Sequence, residues 1–275
     1  MVKHAAPILA LTLAACAAAP GQERARVRPT IVSLNPCTDA ILAEVADPGQ
    51  ILALSHYSSD PAASSMDLAA ARRFPATGGT VEEIAALHPD LVLDGSFIAP
   101  ATRAALERLS IRLETVGIAP TVKESEAQVR RIAALAGHPE RGEALVARIE
   151  AALAANRAPQ GPAMPAIVWQ SGGIVAGADT LISDLLVRTG FANAAARRGM
   201  HQAEYLPLEV VLADPPAVIF AAGDGRANQD RLLSHPVLSR LADTRRERLD
   251  PGLLWCGGPT IVRAAHRLGQ ARRSI

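Results

Sequence analysis

Aromatic residues and cysteines are scarce in this chain, and neither sign of charge is in excess. Of the 275 residues, 3% are aromatic and three are cysteine, and the formal net charge is +1. A balanced charge argues against the basic surface that nucleic-acid-binding proteins need, so we expect no nucleic-acid partner. Apolar residues make up 49% of the chain, an ordinary globular content, and the length suffices for one large domain or two lobes.

Motifs of nucleotide hydrolysis and of metal binding are also missing from the sequence. There is no Gly-x-x-x-x-Gly-Lys-Ser/Thr loop, so the chain does not hydrolyse nucleotides by that route. No histidine stands at a zinc-site spacing from another histidine, a cysteine or a carboxylate. We therefore expect neither a protein-bound metal ion nor a resident cofactor.

Residues 1–20 read as an export signal. Lys3 and His4 give a positive start, and an apolar run of about a dozen residues, too short to span a bilayer, leads into small residues. Residues 13–16 also resemble a bacterial lipoprotein cleavage site, in which Cys16 would carry the lipid, and ordinary cleavage after Ala18 is the alternative. Either way the mature chain lies outside the cytosol, where disulfides form.

Beyond a polar linker, short apolar runs alternate with helical patterns, which predicts parallel sheets covered by helices. In the first half we predict strands at 30–34, 50–55, 91–94 and 112–116, and helices at 36–45, 80–87 and 100–109. In the second half we predict strands at 166–170, 217–221 and 247–250, and helices at 180–189, 206–212, 231–241 and 260–273.

The two halves resemble each other across a long helical stretch. Each half has a short helix that carries a glutamate, then a proline and a buried strand, and Glu82 and Glu209 each lie seven residues before that proline. We predict an α/β fold of two Rossmann-like lobes with parallel sheets, joined by one long helix. The predicted boundaries are 28–137 for the first lobe, 138–160 for the helix and 163–275 for the second lobe.

Four stretches carry a resemblance to a known family: IVSLNPCTD, ILALSHYSSDP, GTVEEIAALHPDLVL and CGGPTIVRAAHRL. Together with the export signal and the two-lobed plan, they resemble the substrate-binding proteins of bacterial ABC importers for vitamin B12, iron–siderophore complexes and haem. The resemblance covers essentially the whole mature chain. In layout it is nearest to the vitamin B12-binding members, because their first lobe carries a segment similar to SHYSS.

The resemblance implies a monomeric periplasmic receptor rather than an enzyme, free or lipid-anchored through Cys16. Its ligand, a corrinoid or an iron chelate, would lie in the cleft between the lobes and pass to a membrane permease driven by cytoplasmic ATPases. Haem and ferric siderophores are the alternatives to a corrinoid. Glu82 and Glu209 match the family positions that form salt bridges with permease arginines, although Glu83 stands beside the first of them.

Side chains near the cleft ends of the predicted strands are the candidate ligand contacts. An aromatic ring with a polar edge suits the rim of a corrin or porphyrin. The candidates are His56, Tyr57, Phe97, Trp169, Gln170, His201, Tyr205 and Trp255. Strand alternation places Trp169 and Gln170 on opposite faces, so one of them belongs to the core. For an anionic siderophore, Arg197 or Arg198 is the best placed cation.

Cys37 and Cys256 form an even pair once Cys16 is assigned to the signal. Asn35 and Pro36 predict a helix start, which places Cys37 in its first turn and on the cleft side of the first lobe. Cys256 follows the last predicted strand, so a disulfide between the lobes is one interpretation. Free cleft thiols and separate structural cysteines are the alternatives, and a different hypothesis is an exported enzyme with Cys37 as its nucleophile, activated by the helix N-terminus. A metal chaperone on the same plan would need a ligand cluster that the sequence does not show.

Overall fold

The computed structural model describes residues 28–158, 160–223 and 235–275. The predicted export signal and Cys16 lie outside these residues. So does the start of the predicted helix at 231–241, of which the described remainder is a short 3-10 helix, Pro236–Arg240.

The first lobe is built on a five-stranded parallel sheet with the strand order β3-β2-β1-β4-β5. Its strands are β1 Ile31–Ser33, β2 Ile51–Ser55, β3 Ala76–Thr77, β4 Leu91–Gly95 and β5 Leu113–Val116. Its helices are α1 Pro36–Val45, α2 Leu68–Ala71, α3 Val81–Leu87, α4 Pro100–Arg108 and α5 Val122–Leu135. The central strands are buried on both faces, which is why they read as continuous apolar runs in the sequence.

The second lobe carries a six-stranded sheet in the order β11-β10-β6-β7-β9, with β8 also paired to β6. Its strands are β6 Met164–Gln170, β7 Ile174–Ala176, β8 Phe191–Asn193, β9 Ala203–Tyr205, β10 Val218–Ala222 and β11 Arg245–Leu249. Its helices are α7 Leu181–Arg188, α8 Leu208–Ala213 and α9 Thr260–Arg273, and α6 Pro139–Ala155 lies between the two lobes.

The second sheet departs from the all-parallel prediction at β7. This strand runs antiparallel to both β6 and β9. The cause is the tight turn Ser171–Gly173, in which Gly172 and Gly173 have φ values of 72° and 81°. Glycine adopts this left-handed backbone without a steric penalty, so the chain reverses at once instead of crossing over through a helix. The α/β class with two parallel-dominated sheets is nevertheless confirmed.

The two lobes share one continuous hydrophobic core. A single cluster of buried side chains runs from Ile31 in β1 to Ala271 in α9. Helix α6 packs against α1 and α5 on one side and against α9 on the other. Within the described residues, no helix has both the length and the apolar content needed to cross a bilayer.

Candidate ligand site in the interlobe cleft

A cavity of about 230 Å³ opens between the lobes at the carboxyl ends of β1, β4 and β5. Its walls come from both lobes: Asn35, Phe97 and Ile118 belong to the first, and Asp179, Trp255 and Gly257 to the second. Open α/β sheets bind ligands at this end of their strands. The geometry therefore provides a concave site that is complete only when both lobes contribute.

The first-lobe wall is shaped by the way α1 starts. The Asn35 side chain accepts a hydrogen bond from the Cys37 backbone N–H at 2.9 Å, and Pro36 occupies the first helical position. Gly95 at the end of β4 packs directly on this cap, because an added Cβ would lie 2.7 Å from Asn35 Nδ2. The residues that cap α1 therefore also form this part of the cavity wall.

Three large apolar side chains stand exposed on the cavity. Phe97 is 84% exposed, Ile118 74% and Trp255 50%, and each of them lines the opening. Exposed apolar groups that converge on a concavity mark a binding surface. Because sites for drug-sized ligands measure roughly 300–1,000 Å³, a large ligand would fill this cavity and extend into its mouth against these three side chains.

The disulfide between Cys37 and Cys256 forms part of the cavity wall. The Cα atoms of the two residues are 5.0 Å apart, and 219 positions of sequence separate them. Both residues line the cavity, so the bond joins the lobes where they meet. A sulfur in a disulfide offers no thiolate for attack, and the interpretation of Cys37 as an enzymatic nucleophile therefore lacks its nucleophile.

The two residues after Cys256 are held tightly against the first lobe. Gly258 donates its backbone N–H to Ser125 Oγ at 2.7 Å. A Cβ on Gly257 would collide with the Ser125 side chain, and a Cβ on Gly258 would lie 2.6 Å from Ile41 Cγ1. The backbone of the second lobe thus touches the first lobe closely beside the disulfide.

A buried carboxyl group, Asp39, follows Thr38, which is part of the cavity wall. Asp39 has no exposed surface, and its Oδ2 accepts hydrogen bonds from Ser55 N at 3.0 Å and Ser58 Oγ at 2.7 Å. Its Oδ1 has no partner. Burial raises the pKa of Asp39 to about 8, with a smaller contribution from the nearby Asp94 carboxyl. Asp39 is therefore largely protonated at neutral pH.

The predicted ligand contacts fall into three groups in the structure: residues that line the cavity, exposed residues outside its wall, and the neighbours Trp169 and Gln170, which are buried and half-buried. Phe97 and Trp255 line the cavity. His56, Tyr57, His201 and Tyr205 are exposed but are not part of the cavity wall, so their contact with ligand stays a prediction.

The prediction for Trp169 is wrong. The indole is fully buried in the core of the second lobe, on the face of β6 that packs among Ile167, Val175 and Leu206. Its strand neighbour Gln170 is half-buried and does not line the cavity. The predicted cations Arg197 and Arg198 do not line it either, and Arg198 instead binds the Asp214 carboxylate at 2.7 Å.

The cavity wall also contains residues that the sequence prediction did not include, among them Ile118 and Asp179. Ile118 follows Val116, the last residue of β5, and Gly117, so the rule that ligands bind at strand ends would have found it. Asp179 precedes α7 in a segment with no strand signal before it, and nothing in its local sequence distinguishes it from a solvated turn residue.

The predicted docking glutamates occupy equivalent places on the two lobes. Glu82 is the second residue of α3 and Glu209 the second residue of α8, and both are exposed. Glu83 is different, because its Oε2 accepts hydrogen bonds from Thr77 Oγ1 at 2.7 Å and Gly78 N at 2.8 Å. The Thr77 bond, with the backbone N–H of Gly78, lowers the pKa of Glu83. This pairing leaves Glu82 as the free carboxylate of the two.

The family model for periplasmic binding proteins matches residues 31–248. The chain belongs to the periplasmic binding protein family. Solved structures of similar fold include the periplasmic heme-binding protein RhuT from Roseiflexus sp. RS-1, with 25% identity, 90% of this chain and 97% of that chain covered, and a TM-score of 0.68. No curated protein sequence matches the chain.

Two Vibrio cholerae proteins share the fold at lower identity. The periplasmic heme-binding protein HutB is 15% identical, with 88% of this chain and 98% of that chain covered and a TM-score of 0.71. The periplasmic vitamin B12-binding protein BtuF is 18% identical, with 89% and 96% covered and a TM-score of 0.67. Members of the periplasmic binding protein family are solute-binding receptors rather than enzymes, so the predicted class of this protein is confirmed.

Proposed function

We propose that this periplasmic binding protein captures a ring-shaped metal chelate, a corrinoid in first place, and delivers it to the permease of an ABC importer. The observation that carries the proposal is the exposed apolar rim of Phe97, Ile118 and Trp255 around a cavity shared by both lobes. A flat macrocycle presents a large apolar face, and aromatic side chains cover such a face at little cost in conformational entropy.

The charge on the cavity wall supports a corrinoid over haem. Asp179 contributes a carboxylate to this wall. A second carboxylate brought close to it is disfavoured by like-charge repulsion, which is stronger in a partly desolvated cleft than in water. Haem carries two propionates, whereas the amide groups at the edge of a corrin are neutral. Haem and ferric siderophores remain the alternative ligands, and two of the proteins of similar fold, RhuT and HutB, are heme-binding proteins.

Docking to the permease is assigned to Glu82 and Glu209. The two carboxylates stand on separate lobes, each one residue into a short helix and exposed to solvent. Charges fixed on a rigid body orient an encounter and raise its rate more than they add affinity. The protein would act outside the cytosol, where its disulfide is stable, and lipid attachment through Cys16 stays a prediction from the sequence.

Ligand titration tests the proposal. The full chain is titrated with cyanocobalamin, cobinamide, ferric haem and a ferric catecholate siderophore, and tryptophan fluorescence and the midpoint of thermal unfolding are recorded. We expect a corrinoid to quench Trp255 and to raise the midpoint, because a ligand that binds only the native state stabilises it. If none of the four ligands changes either signal, the proposal is wrong.

A matched pair of variants shows whether the ligand occupies this cavity. Trp255→Ala should raise the dissociation constant about tenfold, equivalent to about 1.4 kcal/mol. Leu109→Ala removes an exposed apolar side chain that does not line the cavity, and it should leave the dissociation constant unchanged. Equal effects of the two substitutions would place the ligand elsewhere.

A further inference from the structure

Positive charge in this protein is concentrated near the end of the chain. Residues 240–275 contain eight arginines and three acidic residues, whereas the formal net charge of the whole chain is only +1. Residues 1–239 are therefore net negative. A charge asymmetry of this kind indicates an electrostatic interaction surface on the basic part of the chain.

The fold gathers most of these arginines along one edge of the second lobe, because β11 is the edge strand of the second sheet. The Arg267 guanidinium of α9 binds the Glu247 carboxylate of β11 at 2.7 Å, and Arg245 Nη1 donates to Ser274 O, just after α9, at 2.6 Å. Strand and helix thus form one continuous surface. We call this surface the basic edge, and its arginines are Arg245, Arg246, Arg248, Arg267, Arg272 and Arg273.

The positive charge of the basic edge is only partly compensated. Glu247 is the one acidic residue within β11 and α9. Both Arg245 and Arg267 bind it at 2.7 Å, so two cations share a single negative charge. Arg273 donates to the neutral amide oxygen of Asn156 at 3.1 Å. These bonds hold the guanidinium groups in place and leave an excess of positive charge.

The basic edge lies apart from the cavity and from the predicted docking carboxylates. Arg245 begins β11, and its bond to Ser274 places the end of α9 at the amino end of this strand. The cavity opens at the carboxyl ends of strands, and no residue of the basic edge lines it. Glu209 likewise follows the carboxyl end of β9. Neither ligand capture nor docking through Glu82 and Glu209 therefore accounts for these arginines.

The arginines are spread along a surface rather than gathered around one point. Arg245 and Arg248 are about 10 Å apart along the strand, and Arg267 and Arg273 about 9 Å along the helix. A guanidinium binds a phosphate through two parallel N–H bonds. An array of this width therefore matches several phosphates side by side better than one small anion.

We infer that the basic edge binds the anionic phospholipid head groups of a membrane surface. For a periplasmic protein the membrane is an extended phosphate surface, and near an anionic leaflet each arginine multiplies the binding constant about fivefold. The chain that precedes β1 also joins its lobe at the amino end of the strands, so the predicted lipid on Cys16 would act from this end too. Membrane binding would keep the receptor near its permease with the cavity open to cargo. The inference holds for any ligand.

Vesicle co-sedimentation tests the inference. The full chain is mixed with vesicles of phosphatidylcholine, with and without phosphatidylglycerol, at low and high salt. Every protein in the experiment carries Cys16→Ala, so that no attached lipid contributes. We expect binding to the vesicles that contain phosphatidylglycerol, a loss of this binding at high salt because salt screens exposed charges, and no binding to phosphatidylcholine alone.

A triple variant of the basic edge, Arg246→Gln/Arg248→Gln/Arg273→Gln, should weaken binding to phosphatidylglycerol vesicles at least about tenfold. All three side chains are exposed, and glutamine keeps much of their length. If the triple variant unfolds at a lower temperature than the wild type, Arg248→Gln replaces it. No described residue pairs with the Arg248 guanidinium, and its loss should weaken binding about fivefold.

The matched control is Arg72→Gln/Arg108→Gln/Arg112→Gln. It removes three exposed arginines of the first lobe and the same amount of charge, and it should bind the vesicles as the wild type does. Brominated phosphatidylglycerol reports the orientation, because bromine quenches a nearby indole. Trp255 lies in the cavity wall, so its fluorescence should not change when the basic edge binds.

Four results would overturn the inference. The first is a wild type that does not bind phosphatidylglycerol vesicles at low salt, and binding of polyglutamate instead would indicate an acidic protein as partner. The second is an equal loss in the edge variant and the control, since net charge alone would then explain binding. Quenching of Trp255 is the third, because the apolar rim would then contact the bilayer. The fourth is displacement by inorganic phosphate at an ionic strength where sodium chloride has no effect, which would indicate a site for a free anion. The ligand titrations test the proposed function separately, so either can fail alone.

Discussion

At the scale of single residues, Asp39 is a carboxyl group buried in the first lobe with no cation beside it among the described residues. It lies two positions after Cys37, fully buried, with one carboxyl oxygen hydrogen-bonded and the other without a partner. A buried carboxylate without a cation is costly, so the group keeps its proton. The acid thereby couples the stability of the folded protein to pH.

The pH dependence of stability tests this environment. The unfolded carboxyl ionises near its ordinary pKa of 3.8, whereas in the folded protein the pKa of Asp39 is about 8. Between these values unfolding releases a proton, so the free energy of unfolding falls as pH rises, by up to about 1.4 kcal/mol per unit. Asp39→Asn does not titrate and should flatten the decline between pH 5 and pH 8 in urea denaturation. Parallel pH profiles for the two proteins would contradict the assigned pKa.

Single residues were also where sequence prediction was weakest. Strand alternation correctly gave one core and one outer position to Trp169 and Gln170, but the sequence alone did not say which side packs on the second-lobe helices. Phe97 was predicted because it follows the end of a strand, and Trp255 because it precedes Cys256. Both residues line the cavity. Asp179 was not found, because only the folded chain brings it to the edge of the cavity.

At the scale of elements, two short helices, α3 and α8, present the same group. Each exposes a glutamate at its second position, where the partial positive charge of the helix N-terminus favours the carboxylate. The competing Glu83 is bound by Thr77 and Gly78, which the sequence did not reveal. Side-chain pairing, rather than sequence position, distinguishes these neighbouring glutamates.

Removing both carboxylates should slow docking. We expect the double variant Glu82→Ala/Glu209→Ala to lower the association rate constant for the cognate ABC permease about tenfold at low salt, because exposed charges act mainly on encounter. Biolayer interferometry with the purified permease at two salt concentrations measures the effect. Glu143→Ala on α6 is the control, since that carboxylate pairs with Arg130. Equal rates for the double variant and the control would exclude Glu82 and Glu209 from the interface.

Elements were predicted well wherever their sequence signals are local. Asn35 and Pro36 mark the start of α1 at the residue where the structure begins it. The missed strands β3, β7, β8 and β9 have only two or three residues each, too few for an alternating pattern. Their pairing is set by neighbouring strands and by the Ser171–Gly173 turn, and these are tertiary features.

At the scale of the whole molecule, the two lobes are held together by a disulfide and by hydrogen bonds, in addition to the chain that connects them. The Cys37–Cys256 disulfide, the bond from Ser65 Oγ to Gly252 O at 2.9 Å and the bond from Val122 N to Asp184 Oδ2 at 2.8 Å all cross between them. Together with the shared core, these contacts oppose separation of the lobes.

Loss of the disulfide should destabilise the whole protein. The bond closes a loop across most of the chain, and removing such a constraint from the unfolded state costs about 3–5 kcal/mol. We expect the double variant Cys37→Ser/Cys256→Ser to lose this much in urea denaturation. Reduced wild-type protein should match the variant under the same conditions, and an unchanged midpoint in both would show that the bond adds no stability.

The close packing of Gly257 and Gly258 on Ser125 and Ile41 has a practical consequence for biosensor design. Many receptor-based sensors place a donor and an acceptor fluorophore on separate lobes and read the distance change when the lobes swing together. Here the disulfide and this close contact hold the two lobes together, so we expect such a pair to report almost no distance change on loading. A single environment-sensitive dye beside Ile118 is the better choice, because cargo bound in the proposed site would displace water from this exposed apolar rim.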